Sequence, residues 1–407
     1  MQMSSVIHMR EKKKNRILSA PINARNIIVF FLLLVFTKPR VVDYIDSLDL
    51  LFNAAIFGGS LALVIYYFSR GKLNKRYLTL MLIFIIVLFS TIIRSGYYSK
   101  TLSHYVPALG FLAFAILNKK HLNEIVGIFL DFCIVLLTIN ILTVIIYPNG
   151  LLTYGVRAMW LLGSKQDMGG YVLQALFAAA IMKEKQRAKW RLTVILSIIT
   201  AGLFMSIGLL LCLTVFLLLC LFDKHIKNLK PKMYILLVAV CFVGVIGLTY
   251  LFEDMSSLQS LLGNINTVGQ SKIYTIRART TMWGAALNIL KKSPIIGAGN
   301  LTEDVWSSMT GVNVYYAAID NLYFDILLTG GILALILFLY LVFTNFKNYK
   351  SLWKSNCSRV CCYCTFALCL LNFEICGYSA YALGILVFSS YLEKALSASN
   401  NIDIRKV

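Results

Sequence analysis

The uncharged stretch LTVILSIITAGLFMSIGLLLCLTVFLLLCLF, Leu192 to Phe222, decides how this chain is arranged. Its 31 residues exceed one ordinary bilayer crossing, which takes about 20, and fall short of two. Gly202, Ser206 and Gly208 lie near its middle, where small residues permit a tight break. Two short packed helices joined by a turn is the first reading, and one long tilted helix is the second. The choice fixes the sidedness of everything downstream. Lys and Arg gather on the cytoplasmic side of a membrane protein. With two helices here and a cytoplasmic N-terminus, 28 of the 39 basic residues lie inside and 11 outside. One helix would move Lys224–Lys232 and Lys347–Arg359 outside, against that rule. The sequence therefore predicts an all-α polytopic integral membrane protein of about twelve transmembrane helices, with both termini cytoplasmic.

Composition agrees: 59% of residues are apolar and 14% charged, and the mean hydropathy is +0.75. A net charge of +21 on a soluble domain would suggest nucleic acid, but here the basic residues sit in links between apolar runs, so no nucleic-acid partner is expected. Residues 1–407 read as a single membrane domain. Residues 1–26 form a basic cytoplasmic segment, and the short apolar run Ile27–Phe36 lacks a small-residue cleavage signal, so it reads as an uncleaved first helix. Further spans are predicted over Leu48–Phe68, Tyr77–Ile93, His104–Leu117, Ile125–Tyr147, Met168–Met182, the two halves of Leu192–Phe222, Met233–Phe252, Ile319–Phe343, Val360–Phe373 and Ser379–Tyr391, before a cytoplasmic tail over 393–407.

Between the ninth and tenth spans lies a polar interval of about 65 residues, 253–318, which the charge rule places outside. From Arg279 to Leu290 the residues Met282, Ala285, Ala286 and Ile289 recur at helix spacing, and Trp283 broadens that face. Lys291 and Lys292 suit the carbonyl end of such a helix, and Ser293-Pro294 stops it. Gly297 and Gly299 predict a tight turn whose backbone amides can approach a ligand. Two readings stand for this segment: an anion site, or a surface helix whose basic residues face lipid headgroups.

The outward arginines are Arg40, Arg94, Arg157, Arg277 and Arg279, with Lys291 and Lys292 nearby. Guanidinium groups bind phosphate through two parallel hydrogen bonds, so these residues suit a lipid-linked pyrophosphate. The carboxylates Asp167, Glu303, Asp304 and Asp320 are available as bases, while Asp131 and Asp325 lie within spans and require a partner or an aqueous cavity. Asp325, about one and a half turns below Asp320, is placed to line a common cleft. Most cysteines fall in apolar spans as small hydrophobes. Cys357, Cys361, Cys362 and Cys364 lie at the inner edge of a span with no nearby His, so no metal site is predicted. Cys376 alone lies near the outer face, and no outer disulfide is implied.

RTTMWGAALNILKKSPIIGAG, Arg279 to Gly299, resembles the Arg-x-x-x-Trp helix followed by Pro-x-x-Gly-x-Gly of the O-antigen ligase and polymerase family, whose members include polymerases of bacterial capsular and exopolysaccharides. DNLYFDILLTGGILALILF, Asp320 to Phe338, is similar to that family's next signature, a His-Asn pair leading into a Leu-rich helix with Gly near its centre. GSKQDMGGYVLQAL, Gly163 to Leu176, resembles the polar turn entering the family's middle helix, and Met205 to Gly208 sits where many members have Ser-Arg. The likeness runs through roughly Pro148 to Leu392. Two departures stand out: Asp320 replaces the His, and Ile207 replaces the Arg after Ser206.

The resemblance implies glycosyl transfer between two lipid-linked substrates at the outer face of the bacterial cytoplasmic membrane. A growing polysaccharide on polyprenyl pyrophosphate would pass to the non-reducing end of a lipid-linked repeat unit. Pyrophosphate is already a good leaving group, so the protein must align the acceptor hydroxyl, neutralise the departing charge and supply a base. Arg279 is expected at the pyrophosphate, with Arg157, Arg277, Lys291 and Lys292 supporting it. Asp320 is expected as base or orienting group, or else as an ordinary cap bonded to the Tyr323 amide. Trp283, Gly297, Gly299, Asn321, Asp167 and Asp304 are expected to contact substrate. No cofactor is expected. Membrane lipids, a chain-length regulator and a flippase are the further partners this reading implies. A ligase would use the same parts on another acceptor. A secondary transporter or lipid-linked oligosaccharide flippase is the alternative class, against which stands the placement of the largest loop between spans nine and ten rather than at the centre.

Overall fold

A computed structural model of the chain describes residues 29, 33, 38–70, 74–94, 96–154, 157–164, 167–204, 206–251, 267–310, 321–353 and 356–373. The predicted first span, apart from Val29 and Leu33, and the predicted twelfth lie outside the described residues, as do both terminal segments. The helices are α1 (Asp46–Ser69), α2 (Lys75–Ile93), α3 (Tyr98–Leu117), α4 (Leu122–Ile146), α5 (Met168–Met182), α6 (Arg187–Phe204), α7 (Ile207–Leu221), the single turn α8 (Asp223–Ile226), α9 (Pro231–Leu251), α10 (Thr267–Lys292), α11 (Glu303–Thr310), α12 (Leu322–Ser351) and α13 (Asn356–Leu371). Between α4 and α5, where the sequence reads only as a polar segment, two short antiparallel strands, β1 (Leu152–Tyr154) and β2 (Arg157–Met159), make a small hairpin.

Among the described residues five helices, α1 to α4 and α12, are long and apolar enough to cross a membrane, and α5, α7, α9 and α13 contain shorter apolar helical runs. The chain is thus an all-α membrane protein apart from the small hairpin. Its exposed large hydrophobics, Leu50, Leu51 and Ile65 on α1 and Val240 and Val243 on α9 among them, form the surface that hydrocarbon would cover. Where helices cross, small residues let the backbones approach. A Cβ on Gly110 of α3 would lie 2.5 Å from the Cβ of Ser60 on α1.

The deciding stretch is broken as its glycines and serine predict. α6 ends at Phe204 and α7 begins at Ile207, with Ser206 in an extended conformation between them. The two helices fold back on one another. The rings of Trp190, in the first turn of α6, and Phe216, deep in α7, have centroids 6.3 Å apart, which a continuous helix would separate by about 39 Å at 1.5 Å per residue. Lys183, before α6, lies over the Trp190 ring and also acts on Asp223, just after α7. The chain therefore leaves this stretch at the end of the bundle where it entered.

That end also gathers other basic links. Arg359 on α13 grips Asp223 through two bonds of 2.7 Å, from Nε to Oδ1 and from Nη2 to Oδ2, and the Tyr363 hydroxyl donates to the same carboxylate at 2.8 Å. Trp353 Nε1 donates to the Lys227 carbonyl at 2.6 Å. Lys189 pairs with Asp131 on α4 at 2.5 Å, the partner that a carboxylate within a span requires. At the opposite end, Lys38 pairs with Asp43 and Asp49, and the Tyr171 hydroxyl donates to the Lys38 carbonyl. Near it, the Val41 amide donates to the Leu161 carbonyl.

α12 is not one straight helix. Gly331 has φ 68° and ψ −170°, which breaks the helix into two segments. The expected Leu-rich helix with a central glycine is present, and that glycine is a bend.

Candidate functional site

The site is built around that bend. In a regular helix the amides of Ile332 and Leu333 would donate to the carbonyls of Leu328 and Thr329. The bend removes both bonds, and the segment Pro294–Gly299 supplies replacements for all four groups. The Ala298 amide donates to the Leu328 carbonyl (2.7 Å) and the Gly299 amide to Thr329 (3.0 Å), while Ile332 donates to Pro294 (2.9 Å) and Leu333 to Ile295 (3.2 Å). The loop thus fits into the helix as a strand would. No side chain fits where they meet. A Cβ on Gly331 would stand 2.2 Å from the Ile295 carbonyl oxygen, and one on Gly297 would stand 2.5 Å from the Gly331 nitrogen.

Gly297 and Gly299 have the positive φ values, 73° and 74°, that their predicted turn requires. Their amides, expected to face a ligand, instead donate to the carbonyls of Ser293 (3.0 Å) and Thr329 (3.0 Å) inside the protein. The glycines matter here for close approach: a Cβ on Gly299 would lie 2.4 Å from the Cα of Thr91 on α2. Just beyond, Asn300 joins three elements, a role that sequence reasoning did not give it. Its amide donates to Thr91 Oγ1 (3.0 Å), its Nδ2 donates to Thr101 Oγ1 (2.6 Å), and its carbonyl accepts from the Tyr97 amide (2.7 Å). Ser90 Oγ donates to the Gly297 carbonyl (2.9 Å).

Helix α10 leads into this loop and is longer than the predicted Arg279–Leu290. Met282, Ala286 and Ile289 form its buried stripe, packed with Ala298, Trp306, Phe324 and Leu328. Trp283 stacks on Phe324 with ring centroids 5.5 Å apart and planes 7° from parallel. The Trp283 Nε1 is buried without a hydrogen-bond partner. Arg279, one turn earlier on the same side, is half-buried. Arg277 belongs to the same helix. Lys291 and Lys292 are exposed in the last turn, and Lys291 Nζ donates to Asn288 Oδ1 at 2.9 Å. Asp304 is exposed in the first turn of α11.

Asp320 lies outside the described residues. Its neighbour Asn321 caps α12, accepting at Oδ1 from the amides of Tyr323 (3.0 Å) and Phe324 (3.2 Å). The cap considered for Asp320, on the Tyr323 amide, therefore belongs to Asn321. Asn321 Nδ2 is buried with no hydrogen-bond partner. One turn on, the Asp325 amide donates to the Asn321 carbonyl (2.9 Å), and the charge of Lys100, in the first turn of α3, acts on the Asp325 carboxylate.

The remaining predicted residues belong to the segment between α4 and α5. Arg157 is in β2, paired with Tyr154. Asp167 accepts from the Ser164 amide (2.9 Å) and hydroxyl (2.8 Å), which closes the turn entering α5. Asn140 Oδ1 on α4 accepts from the Leu162 amide (3.0 Å) and holds the same segment. Among the described residues no group of three or more His, Cys, Asp or Glu side chains is placed to hold a metal ion.

The site thus joins a basic helix carrying Arg279 and Trp283, a glycine loop, and the capped, bent α12 with its carboxylate. Searches of curated proteins and of solved structures return no match. Residues 192–339, from α6 to beyond the bend of α12 and so including α10 and the glycine loop, match the family model described as O-antigen ligase.

Proposed function

We propose that this protein is a polysaccharide polymerase of the bacterial cytoplasmic membrane. It transfers a growing glycan from polyprenyl pyrophosphate to the non-reducing end of a lipid-linked repeat unit at the outer face. The observation that carries the reading is the family match across α10, the glycine loop and α12, the same elements that converge in the structure. The bond broken joins the anomeric carbon to pyrophosphate, and the bond formed joins that carbon to the acceptor oxygen. Arg279 neutralises the departing pyrophosphate, with Arg277, Arg157, Lys291 and Lys292 adding positive charge around it. Trp283 and Asn321 border the sugar-binding region, and Asp320 orients the acceptor hydroxyl or accepts its proton.

The chain crosses the membrane about twelve times in this reading, with both termini in the cytoplasm and residues 253–318 outside. The helical hairpin at Leu192–Phe222 supports that layout, because it keeps the basic links on one side. A ligase that passes the glycan to a different acceptor is the second reading, favoured by the description of the matching family model. Purified protein given a lipid-linked repeat unit separates the two. A ladder of products on a gel is expected. A single transfer that requires a distinct acceptor would establish the ligase, and transport in sealed vesicles without any glycan transfer would overturn both.

A further inference from the structure

Helices α3 and α12, each bonded to the Gly299–Asn300 segment, also bring together a group of ionisable side chains that the sequence left scattered. The Asn300 side chain is bonded to Thr101 on α3, and the preceding Gly299 amide is bonded to the Thr329 carbonyl on α12. Thr101 and Thr329 are thereby held at the same level. Asp325 lies one turn from Thr329 toward the start of α12, and the Thr329 hydroxyl donates to its carbonyl at 2.7 Å. Lys100 directly precedes Thr101 toward the start of α3. The loop therefore brings the first turn of α12, with Asp325, to the level of the first turn of α3, and the charge of Lys100 acts on the Asp325 carboxylate. Asp325 also acts on the buried Tyr105. His104 shares a face with Lys100, one turn on, and falls between Lys100 and Tyr105 around the helix.

A half-buried carboxylate at the membrane edge with a single lysine opposite is costly to maintain unless it is used. Here it stands one turn inside the Asn321 cap, on the same helix as Phe324, against which Trp283 is stacked. We infer that Asp325 is the proton acceptor of glycan transfer and that Lys100 is its positioning counter-charge. This inference rests on the glycan-transfer reading above. As the acceptor oxygen bonds to the anomeric carbon, its proton passes to an Asp325 carboxylate oxygen. The electron pair of the broken bond leaves on the pyrophosphate, which Arg279 neutralises. Asp320 is then left to orient the acceptor, a task that does not require it to change protonation.

The test uses full-length protein in detergent with a lipid-linked repeat unit. D325N is expected to reach normal membrane abundance and to lose elongation by about 100-fold or more, the ordinary worth of a positioned acid–base group. D325E is expected to retain part of the rate, and added formate to restore part of it in D325G. The charge-swapped double variant K100D/D325K separates chemistry from structure. It is expected to keep normal abundance without elongation, whereas an ion pair that only holds two helices together would recover elongation on swapping. H104Q is expected to elongate within a few-fold of the parent. D325N elongating at the parental rate, a swap that restores elongation, or an inactive H104Q beside an active D325N would each overturn the inference. If the unmodified protein itself makes no product from any lipid-linked glycan, the underlying functional reading fails instead.

Discussion

Replacing Gly331 by Ala tests whether the bent helix and its inserted loop form the core of the site. At φ 68° and ψ −170° the residue occupies a region that is essentially glycine's alone, where a side chain costs about 1–3 kcal/mol. The added Cβ would also stand 2.2 Å from the Ile295 carbonyl oxygen, a backbone atom with no rotamer to relieve the contact. The helix can escape by straightening, but then it loses the four bonds from Pro294, Ile295, Ala298 and Gly299. Two internal helix bonds are regained, at about 1 kcal/mol each, and Ala is favoured over Gly in a helix by about another 1 kcal/mol. The difference is about 1 kcal/mol of bonding lost, to which the stranded loop groups add about 1–3 kcal/mol.

Either route costs about 2 kcal/mol, which is about a 30-fold increase in the open population of the loop. Hydrogen exchange read by mass spectrometry on peptides covering 294–300 measures that opening directly. G331A is expected to lose protection there by about that factor, and to lose elongation with it. Gly244→Ala, on α9 where a Cβ meets nothing within 4 Å, is the control and should change neither. Unchanged protection and elongation in G331A would refute the account of the bend.

Asn300→Ala removes the bond to Thr101 and leaves a buried hydroxyl pair, so about 1–3 kcal/mol of local stability is expected to vanish, seen as faster exchange over 96–101 while α6 and α7 are untouched. Arg279→Lys keeps the charge but loses the two-pronged guanidinium, and should lower elongation strongly at normal membrane abundance; full activity would remove Arg279 from the pyrophosphate. At the other end of the bundle, D223N leaves the Arg359 guanidinium without its counter-charge and should destabilise the detergent-solubilised protein by about 2 kcal/mol at neutral pH. Burial pushes the Asp223 carboxyl up, but bonds from Arg359 and Tyr363 outweigh it and hold the pKa below the ordinary value. A depressed carboxylate stabilises the fold above its unfolded pKa of about 4 and loses that contribution as pH falls through the folded value. The parent's advantage over D223N should therefore be constant near neutrality and shrink only below about pH 4, and an advantage that shrinks between pH 8 and 6 would contradict this assignment.

Much of the scaffold was legible because the signals are local. The break near Ser206, the basic links and the buried face of α10 follow from charge, small residues and helix spacing, and the structure has each of them. The site was less legible because its decisive contacts join residues distant in sequence. Gly331 sits in an apolar run that reads as one helix, and nothing beside it announces that a loop some thirty residues earlier will take its carbonyls. Gly297 and Gly299 lie in the turn their sequence predicts, and their amides are bonded to carbonyls within the protein. Asp320 and Asn321 are both competent caps, and only the geometry of α12 assigns the bond to Asn321. Lys100 belongs to no motif in the sequence, and only the fold sets its charge near the Asp325 carboxylate.

The mutual dependence of these elements bears on how the site works. A proline loop can enter a helix only where the helix has given up its own bonds, and the bent α12 is tolerated in an apolar bundle only because the loop satisfies what the bend exposes. Each half would be costly alone. Joined, they form a rigid piece in which α10 runs directly into the loop, the loop is bonded to α12, and Trp283 is stacked on Phe324. Arg279 and Asp325 are thereby held on two elements that cannot slide independently. In the transfer proposed above, whose leaving group already departs readily, most of the rate would come from holding Arg279 and Asp325 on either side of one carbon. The proline, the three glycines and Asn300 then act at a distance from the chemistry, by fixing the separation between those two side chains.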